Sequence, residues 1–302
     1  MTETKVAVIT GASSGIGFAL AKALAADGYK VITVSRRTAP IEPLVAQYGA
    51  EKVIALPVDI SEPANVVSLR EKLTELLPDG KIHLLFNNAG QACTNYATDA
   101  PHDEVERCFK INFYAPVNIT RELASFLINA QGTIVFTGSV AATVPFPITT
   151  IYSASKAALH QYAKILHIEM RIYGVRVINA VTGGVRTDIG DRHTLPETSR
   201  MNFPEGIAAY EYSMNFFSGF KFMDPDVYAK RLLKDVYSSS DPIFVYRGKL
   251  ASILSWAVSL SPLWLTEWAV IKKFKLGPLV KHFKNKRNQK PTGVSGASPK
   301  QS

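Results

Sequence analysis

Six short runs of apolar, largely β-branched residues alternate with helical patterns: KVAVIT (5–10), KVITVS (30–35), KVIALPV (52–58), IHLLFN (82–87), GTIVFTG (132–138) and VRVINAV (175–181). Each is nearly continuous in apolar character, as expected of strands covered on both faces. A seventh strand is expected at IFVYR, 243–247. The intervening segments carry helix punctuation. The first helix is expected to start near Gly15 and stop at Gly28, and Ser61-Glu62-Pro63 supplies an N-cap followed by a proline in the first turn. Strands alternating with helices imply parallel neighbours joined by right-handed crossovers, hence an α/β, doubly wound parallel sheet of about seven strands. In such sheets ligands gather beyond the carboxyl ends of the strands.

The first strand runs into Gly11-Ala12-Ser13-Ser14-Gly15-Ile16-Gly17 and then a helix. Glycines there let the backbone turn tightly and approach a pyrophosphate, which the amides of a helix N-terminus favour, so the sheet is of the Rossmann type. The same residues also spell G-x-S-x-G, the nucleophile elbow of serine hydrolases, with Ser13 as nucleophile. That reading needs a histidine and an acid within reach, and a position later in the chain than residue 11. The second run ends at Arg36-Arg37, with no carboxylate to take ribose hydroxyls. Two guanidiniums suit a 2′-phosphate, so the expected cofactor is NADPH. Asp59 and Ile60, just after the third run, are placed to meet the adenine edge, although Asp59 could equally cap the helix that starts near Ser61.

Tyr152 and Lys156 are separated only by small residues, and their i,i+4 spacing stacks them on one helix face. The ammonium is expected to favour the phenolate and lower the tyrosine pKa toward neutrality, which suits proton exchange with an alkoxide. Metal chemistry is not expected: the six histidines fall in no ligand spacing, and His160 and His167, which share a helix face, read as packed or solvated imidazoles. The two cysteines, Cys93 and Cys108, are too few for a disulfide framework and fit reduced thiols in a cytosol-facing protein.

Thr10-Gly11-x-x-x-Gly15-x-Gly17, Asn87-Asn88-Ala89-Gly90, Asn112, Ser139 and Tyr152-x-x-x-Lys156 together resemble the short-chain dehydrogenase/reductase family in order and approximate spacing. The resemblance implies that Tyr152 is the acid/base, that Lys156 binds the nicotinamide ribose and tunes the tyrosine, that Ser139 holds the substrate carbonyl, and that Asn112 anchors a relay water. It further implies that Asn88, with Ala89 and Gly90, lines the cofactor cleft, that Arg121 borders it, and that Val185 and Thr187 meet the carboxamide. The family usually shows Pro-Gly after the sixth strand, whereas Thr182-Gly183 stands here, which puts the stiffness of that loop in question.

Within the family, NNAGQACT, IYSASKAALHQYAK, LPETS, NFPEG and KKFKL resemble the fungal NADPH-dependent 1-acyldihydroxyacetone-phosphate reductase branch. This implies a lipid ketone substrate, reduced to 1-acyl-glycerol 3-phosphate. A hydroxysteroid or retinoid oxidoreductase is the alternative within the class. The segment 188–226 combines Arg192, His193 and Arg200 with many aromatics and is expected to form a lid, with apolar walls for an acyl chain and cations for a phosphate.

The expected organisation is a reductase domain over 1–248, a membrane-associating segment over 249–287 and a disordered tail over 288–302. Trp256, Leu260, Trp264 and Trp268 are spaced by fours as one helical stripe, with Ser252, Ser255, Ser259, Pro262 and Thr266 on another face. Residues 272–302 hold nine Lys and Arg and no acid, and this accounts for the whole formal charge of +9. Interfacial tryptophans beside a polybasic stretch suit a helix lying in a membrane surface via 250–287, at the cytosolic face of the endoplasmic reticulum or a lipid droplet. Packing onto the body, or onto a second copy in a homo-oligomer, is the alternative. Nucleic acid is not expected, because the body offers no basic stripe.

Overall fold

The computed structural model describes residues 4–187, 189, 194–216 and 219–288. Arg192, His193, Phe217 and the tail from 289 onward lie outside the described residues. All seven apolar runs form strands: β1 (Val6–Thr10), β2 (Lys30–Ser35), β3 (Val53–Pro57), β4 (Leu84–Asn87), β5 (Thr133–Ser139), β6 (Arg176–Thr182) and β7 (Phe244–Arg247). They pair in parallel as one sheet ordered β3-β2-β1-β4-β5-β6-β7. The order reverses beside β1, so a switch point opens between the ends of β1 and β4.

Twelve α-helices are described: α1 (Gly15–Ala26), α2 (Glu42–Tyr48), α3 (Pro63–Leu76), α4 (His102–Phe109), α5 (Ala115–Glu122), α6 (Ala124–Ala130), α7 (Thr150–Arg171), α8 (Pro204–Asn215), α9 (Pro225–Val236), α10 (Ala251–Leu260), α11 (Leu263–Lys273) and α12 (Gly277–Asn288). Alternate strand residues feed opposite cores. Ala7 and Ile9 pack with Leu20 and Leu24 of α1 and Tyr228 and Leu232 of α9. Val6 and Val8 face the other way, toward Leu69 and Leu73 of α3, Ile119 of α5 and Leu159 of α7. Each fully buried apolar side chain of this kind stabilises the fold by about 1.5–3 kcal/mol, which is why most residues of the central strands, covered on both faces, are apolar.

The C-terminal segment differs from the expected single stripe. Ser261 and Pro262 break it into α10 and α11, since Pro262 has no N–H to continue a helix and instead caps the start of α11. Trp256, Leu260, Trp264 and Trp268 nonetheless all face outward, with Trp256 at 60 % and Leu260 at 78 % exposed, while Ser255 and Thr266 are buried against the body. After α11 the chain turns back. Phe274 and Leu279 are buried, His282 stacks on Phe203 with ring centroids 4.1 Å apart, and its Nδ1 lies 3.7 Å from Glu205 at the start of α8. Among the described residues no helix is long and apolar enough to cross a membrane.

Candidate active site

Two cavities meet at the carboxyl edge of the sheet. The first, about 390 Å³, is lined by Gly11, Ser13, Ser14, Gly15 and Ile16 from the β1–α1 turn, Ser35, Arg36 and Arg37 after β2, Val58, Asp59 and Ile60 after β3, and Asn88, Ala89 and Gly90 after β4. Gly11 and Gly15 have φ of 67° and 56°, a backbone region that disfavours side chains. A Cβ on Gly11 would lie 2.7 Å from the Ala89 backbone, so the turn can run close to β4 only as glycine. Gly17, expected in the cleft, does not line it. A Cβ there would sit 2.4 Å from the Gly11 carbonyl oxygen and 2.5 Å from Asn88 Nδ2, so this glycine lets α1 pack under the turn.

The cradle is braced from below. Thr10 Oγ1 accepts from the N–H groups of Asn88 (3.0 Å) and Ala89 (3.1 Å), and Asn88 Nδ2 donates to the carbonyls of Thr10 and Gly11. Ser14 caps α1 without a side-chain bond, which leaves the first amides of the helix for an anion. Asp59 lines the same cavity and does not cap α3, whose N-cap is Glu62. Burial pushes the Asp59 carboxyl up, but bonds from the Ser61 N–H and hydroxyl, with the charge of Arg36, outweigh it and hold the pKa below the usual carboxylate value. A glycine cradle that side chains would fill, free helix amides and two arginines at the β2 end fit a phosphorylated dinucleotide. The described lining includes no histidine, so Ser13 has no base there for ester cleavage.

Arg121 is a correction. It sits on the solvent side of α5, its guanidinium bonded to the adjacent Glu122 (Nη2 to Oε1, 3.2 Å), and it lines neither cavity. Its place late in α5 carries it away from the strand edge.

The second cavity, about 420 Å³, shares Ile16, Asn88, Gly90, Thr137, Thr187 and Ile189 with the first, so the two spaces are continuous. Ser139 enters it from the end of β5, and Tyr152 and Lys156 from one face of α7. The Ser139 hydroxyl accepts the Ala141 N–H at 3.1 Å and is bonded to the Tyr152 side chain, so serine and phenol converge on one spot. Lys156 Nζ donates to the Thr137 carbonyl at 2.9 Å and stands 5.9 Å from the Tyr152 ring centroid.

This geometry overturns the expected tyrosine shift. Burial pushes the Tyr152 pKa up, against a smaller lowering from the Ser139 bond. Burial also pulls the Lys156 ammonium down to about 8. The ammonium donates to a carbonyl rather than to the phenol, and desolvation by the surrounding protein is the largest influence on both groups.

Asn112 lines neither cavity but holds Gln91, part of the wall of the first. It lies on a π-helical turn, Lys110–Tyr114, a bulge that commonly marks a functional site. Its Oδ1 accepts the Gln91 N–H (2.8 Å) while its Nδ2 donates to the Gln91 carbonyl (2.9 Å) and to Ser155 Oγ (3.0 Å). His160, one turn beyond Lys156, accepts the Ser139 N–H through Nε2 at 3.2 Å. Burial, with the nearby Lys156 charge, lowers its pKa to about 4.

The loop after β6 is stiff despite lacking proline. Thr182 Oγ1 lies 2.7 Å from the Tyr228 hydroxyl, Gly184 exchanges backbone bonds with Lys249, and the Gly184 carbonyl also accepts the Met223 N–H. Val185 and Thr187 on this loop line the second cavity. The expected lid contributes Ser213, Met214, Phe220 and Phe222, whereas Arg200 is exposed and lines neither of these two cavities. Unforeseen in the sequence are Phe146 and Ile148 from the loop before α7, and Lys249, Leu250, Leu254 and Phe274 from the C-terminal segment, all of which line this space. Phe274 lies inside the KKFKL run and Lys249 two residues past the expected strand at 243–247, but neither signal points to a cavity.

A sheet of this order, with a glycine cradle at β1 and a serine, tyrosine and lysine converging beyond β5, defines a nicotinamide-dependent oxidoreductase. Residues 5–197 match the family model of short chain dehydrogenases, and the chain belongs to that family. It is 50% identical over 286 residues to the NADPH-dependent 1-acyldihydroxyacetone phosphate reductase of Saccharomyces cerevisiae, across 95% of this chain and 96% of that protein. Among solved structures, a short-chain dehydrogenase from Streptomyces avermitilis superposes with a TM-score of 0.74 at 23% identity, over 96% of this chain and all of that one, a likeness of fold. A short chain dehydrogenase from Burkholderia cenocepacia, in complex with NADP, has a TM-score of 0.66 and 26% identity over 80% of this chain and 95% of its own.

Proposed function

We propose that this protein is an NADPH-dependent reductase of a lipid ketone, converting 1-acyl-dihydroxyacetone phosphate to 1-acyl-glycerol 3-phosphate. The observation that carries this reading is the continuity of the two cavities: a cradle with Arg36 and Arg37 at one end opens into a largely apolar chamber where Ser139 and Tyr152 converge. The half-identical yeast reductase supports the choice of substrate.

Bound NADPH supplies the hydride. Ser139 and Tyr152 hold the ketone oxygen, and the Tyr152 hydroxyl, kept protonated by its burial, gives its proton to the nascent alkoxide. Lys156 orients the ribose and adds positive charge beside the phenol. Asn112 fixes the Gln91 backbone and with it the edge of the cofactor cleft. Arg36 and Arg37 take the 2′-phosphate.

The outward Trp256, Leu260, Leu263, Trp264 and Trp268, with Lys272 over the Trp268 ring and Lys273, Lys281, Lys284 and Lys286 following in sequence, form the surface we assign to an anionic membrane, at the endoplasmic reticulum or a lipid droplet. Apolar rings flanked by cations, with no acid after Glu267, complement a lipid interface better than a second copy of the same cationic face.

The test is turnover by purified protein in mixed vesicles. NADPH should serve well and NADH poorly, with the acylated phosphoketone preferred over steroid or retinoid carbonyls. Equal turnover of a phosphate-free lipid carbonyl overturns the substrate, and equal use of NADH overturns the cofactor.

A further inference from the structure

The second cavity has an electrostatic asymmetry that the reaction itself does not use. Among the described residues that line it there are two lysines, Lys156 and Lys249, and no aspartate or glutamate. Lys156 is committed to the Thr137 carbonyl and to the tyrosine side of the site. Lys249 has no carboxylate within ion-pairing reach among the described residues, and it lies exposed at the rim of the cavity. A cation left unpaired at the edge of an otherwise apolar chamber attracts an anionic group of the ligand.

The position of Lys249 is fixed by its backbone. It lies two residues past the end of β7, its N–H donates to the Gly184 carbonyl (3.1 Å), and its carbonyl accepts the Gly184 N–H (3.0 Å), in an isolated antiparallel bridge. A Cβ built on Gly184 would lie 3.7 Å from that of Lys249 and 2.6 Å from the Phe222 ring, so the lysine rises beside the loop that carries Val185 and Thr187, with the lid across from it. Lys249 thus stands on the wall of the second cavity beside the loop that runs on to Val185 and Thr187.

The ketone of the proposed substrate has two unlike arms. One carries the acyl ester; the other carries the phosphate, separated from the carbonyl carbon by one methylene and one oxygen. With the carbonyl oxygen at Ser139 and Tyr152, the phosphate must stay close to the reacting centre, whereas the acyl chain can extend. We propose that Lys249 is the specificity-determining cation of this site: it binds the substrate's phosphate monoester at the rim and thereby directs the acyl chain along the apolar wall formed by Phe146, Leu254 and Phe274. Its compact ammonium on a flexible stem suits a phosphate approached from one side.

This assignment rests on the reading of the substrate as a phosphorylated ketone, and the experiment separates the two. The ratio of kcat/KM for 1-acyl-dihydroxyacetone phosphate to that for the same lipid without phosphate is measured for wild type, Lys249→Met and Lys249→Arg. A ratio within one preparation is insensitive to any misfolded fraction. The wild type should favour the phosphorylated ketone. Lys249→Met should lower the ratio about 10- to 100-fold, the loss expected of one charge-assisted hydrogen bond, and Lys249→Arg should recover most of it. A wild type indifferent to phosphate overturns the substrate reading and this assignment together. A wild type that prefers phosphate, with Lys249→Met keeping that preference, overturns this assignment alone.

Discussion

Helices α9 and α10 are close in length, yet they turn their apolar faces in opposite directions. α9 buries Tyr228, Ala229, Leu232, Leu233 and Val236 against the sheet and leaves Lys230, Arg231 and Lys234 to water. α10 buries only Ala251 and Ser255 and presents Ile253, Trp256 and Leu260 outward; α11 likewise buries Thr266 and exposes Leu263, Trp264 and Trp268. In α9 the hydrophobic effect is satisfied within the chain. In α10 Leu254 and Val258 turn inward, and the outward rings of α10 and α11 form an exposed apolar patch of the kind that marks interaction surfaces.

If body and C-terminal helices divide catalysis and attachment in this way, changes in one should leave the other intact. The largest separation is expected from Tyr152→Phe, which should lower kcat about a hundred- to ten-thousand-fold with vesicle flotation unaltered; loss of flotation would mean the two regions are not independent. Leu232→Ala in α9 should cost about 2–5 kcal/mol in denaturant unfolding. The matched Trp256→Ala in α10 should stay within about 0.5 kcal/mol while weakening binding to anionic vesicles. A comparable stability loss for both would sink the comparison.

A pH effect belongs to the body alone. The folded pKa of His160, about 4, lies below its unfolded value of 6.5, so the native state binds fewer protons between them. The stability this contributes is complete above about 6.5 and lost as pH falls toward 4. His160→Gln should therefore flatten the melting-temperature profile over that window, and an unchanged slope would show that other groups dominate. A more local effect is expected for Arg36→Ala, which should raise the Kd for NADPH about tenfold and leave that for NADH unmoved, as read by fluorescence titration.

The contrast also explains what could be read from the sequence. Strands covered on both faces are largely apolar, so all seven were visible as runs. The cradle glycines and the Tyr152–Lys156 pair are local patterns, and these too were legible. Less visible were consequences of assembly. The direction of the Tyr152 shift depends on how dry the finished site is and on Lys156 turning to Thr137. Arg121 was placed by analogy to a helix whose register carries it to solvent. Lys249, Leu254 and Phe274 reach the cavity only because a segment far along the chain folds back over β6, and no pattern within that segment announces it. Trp256 through Trp268 read as a continuous stripe because a spacing of four ignores the break at Pro262.

Helix α10 is also a partition. Leu254 looks into the reaction chamber, while Ile253, Trp256 and Leu260 look outward, so the bulk solvent side and the ketone-binding side are divided by one helix, about 10 Å across. If that outer side is seated at a lipid surface as proposed, the reducing chamber stands one helix diameter from the leaflet, and an acylated molecule must pass around α10 to reach Ser139 and Tyr152.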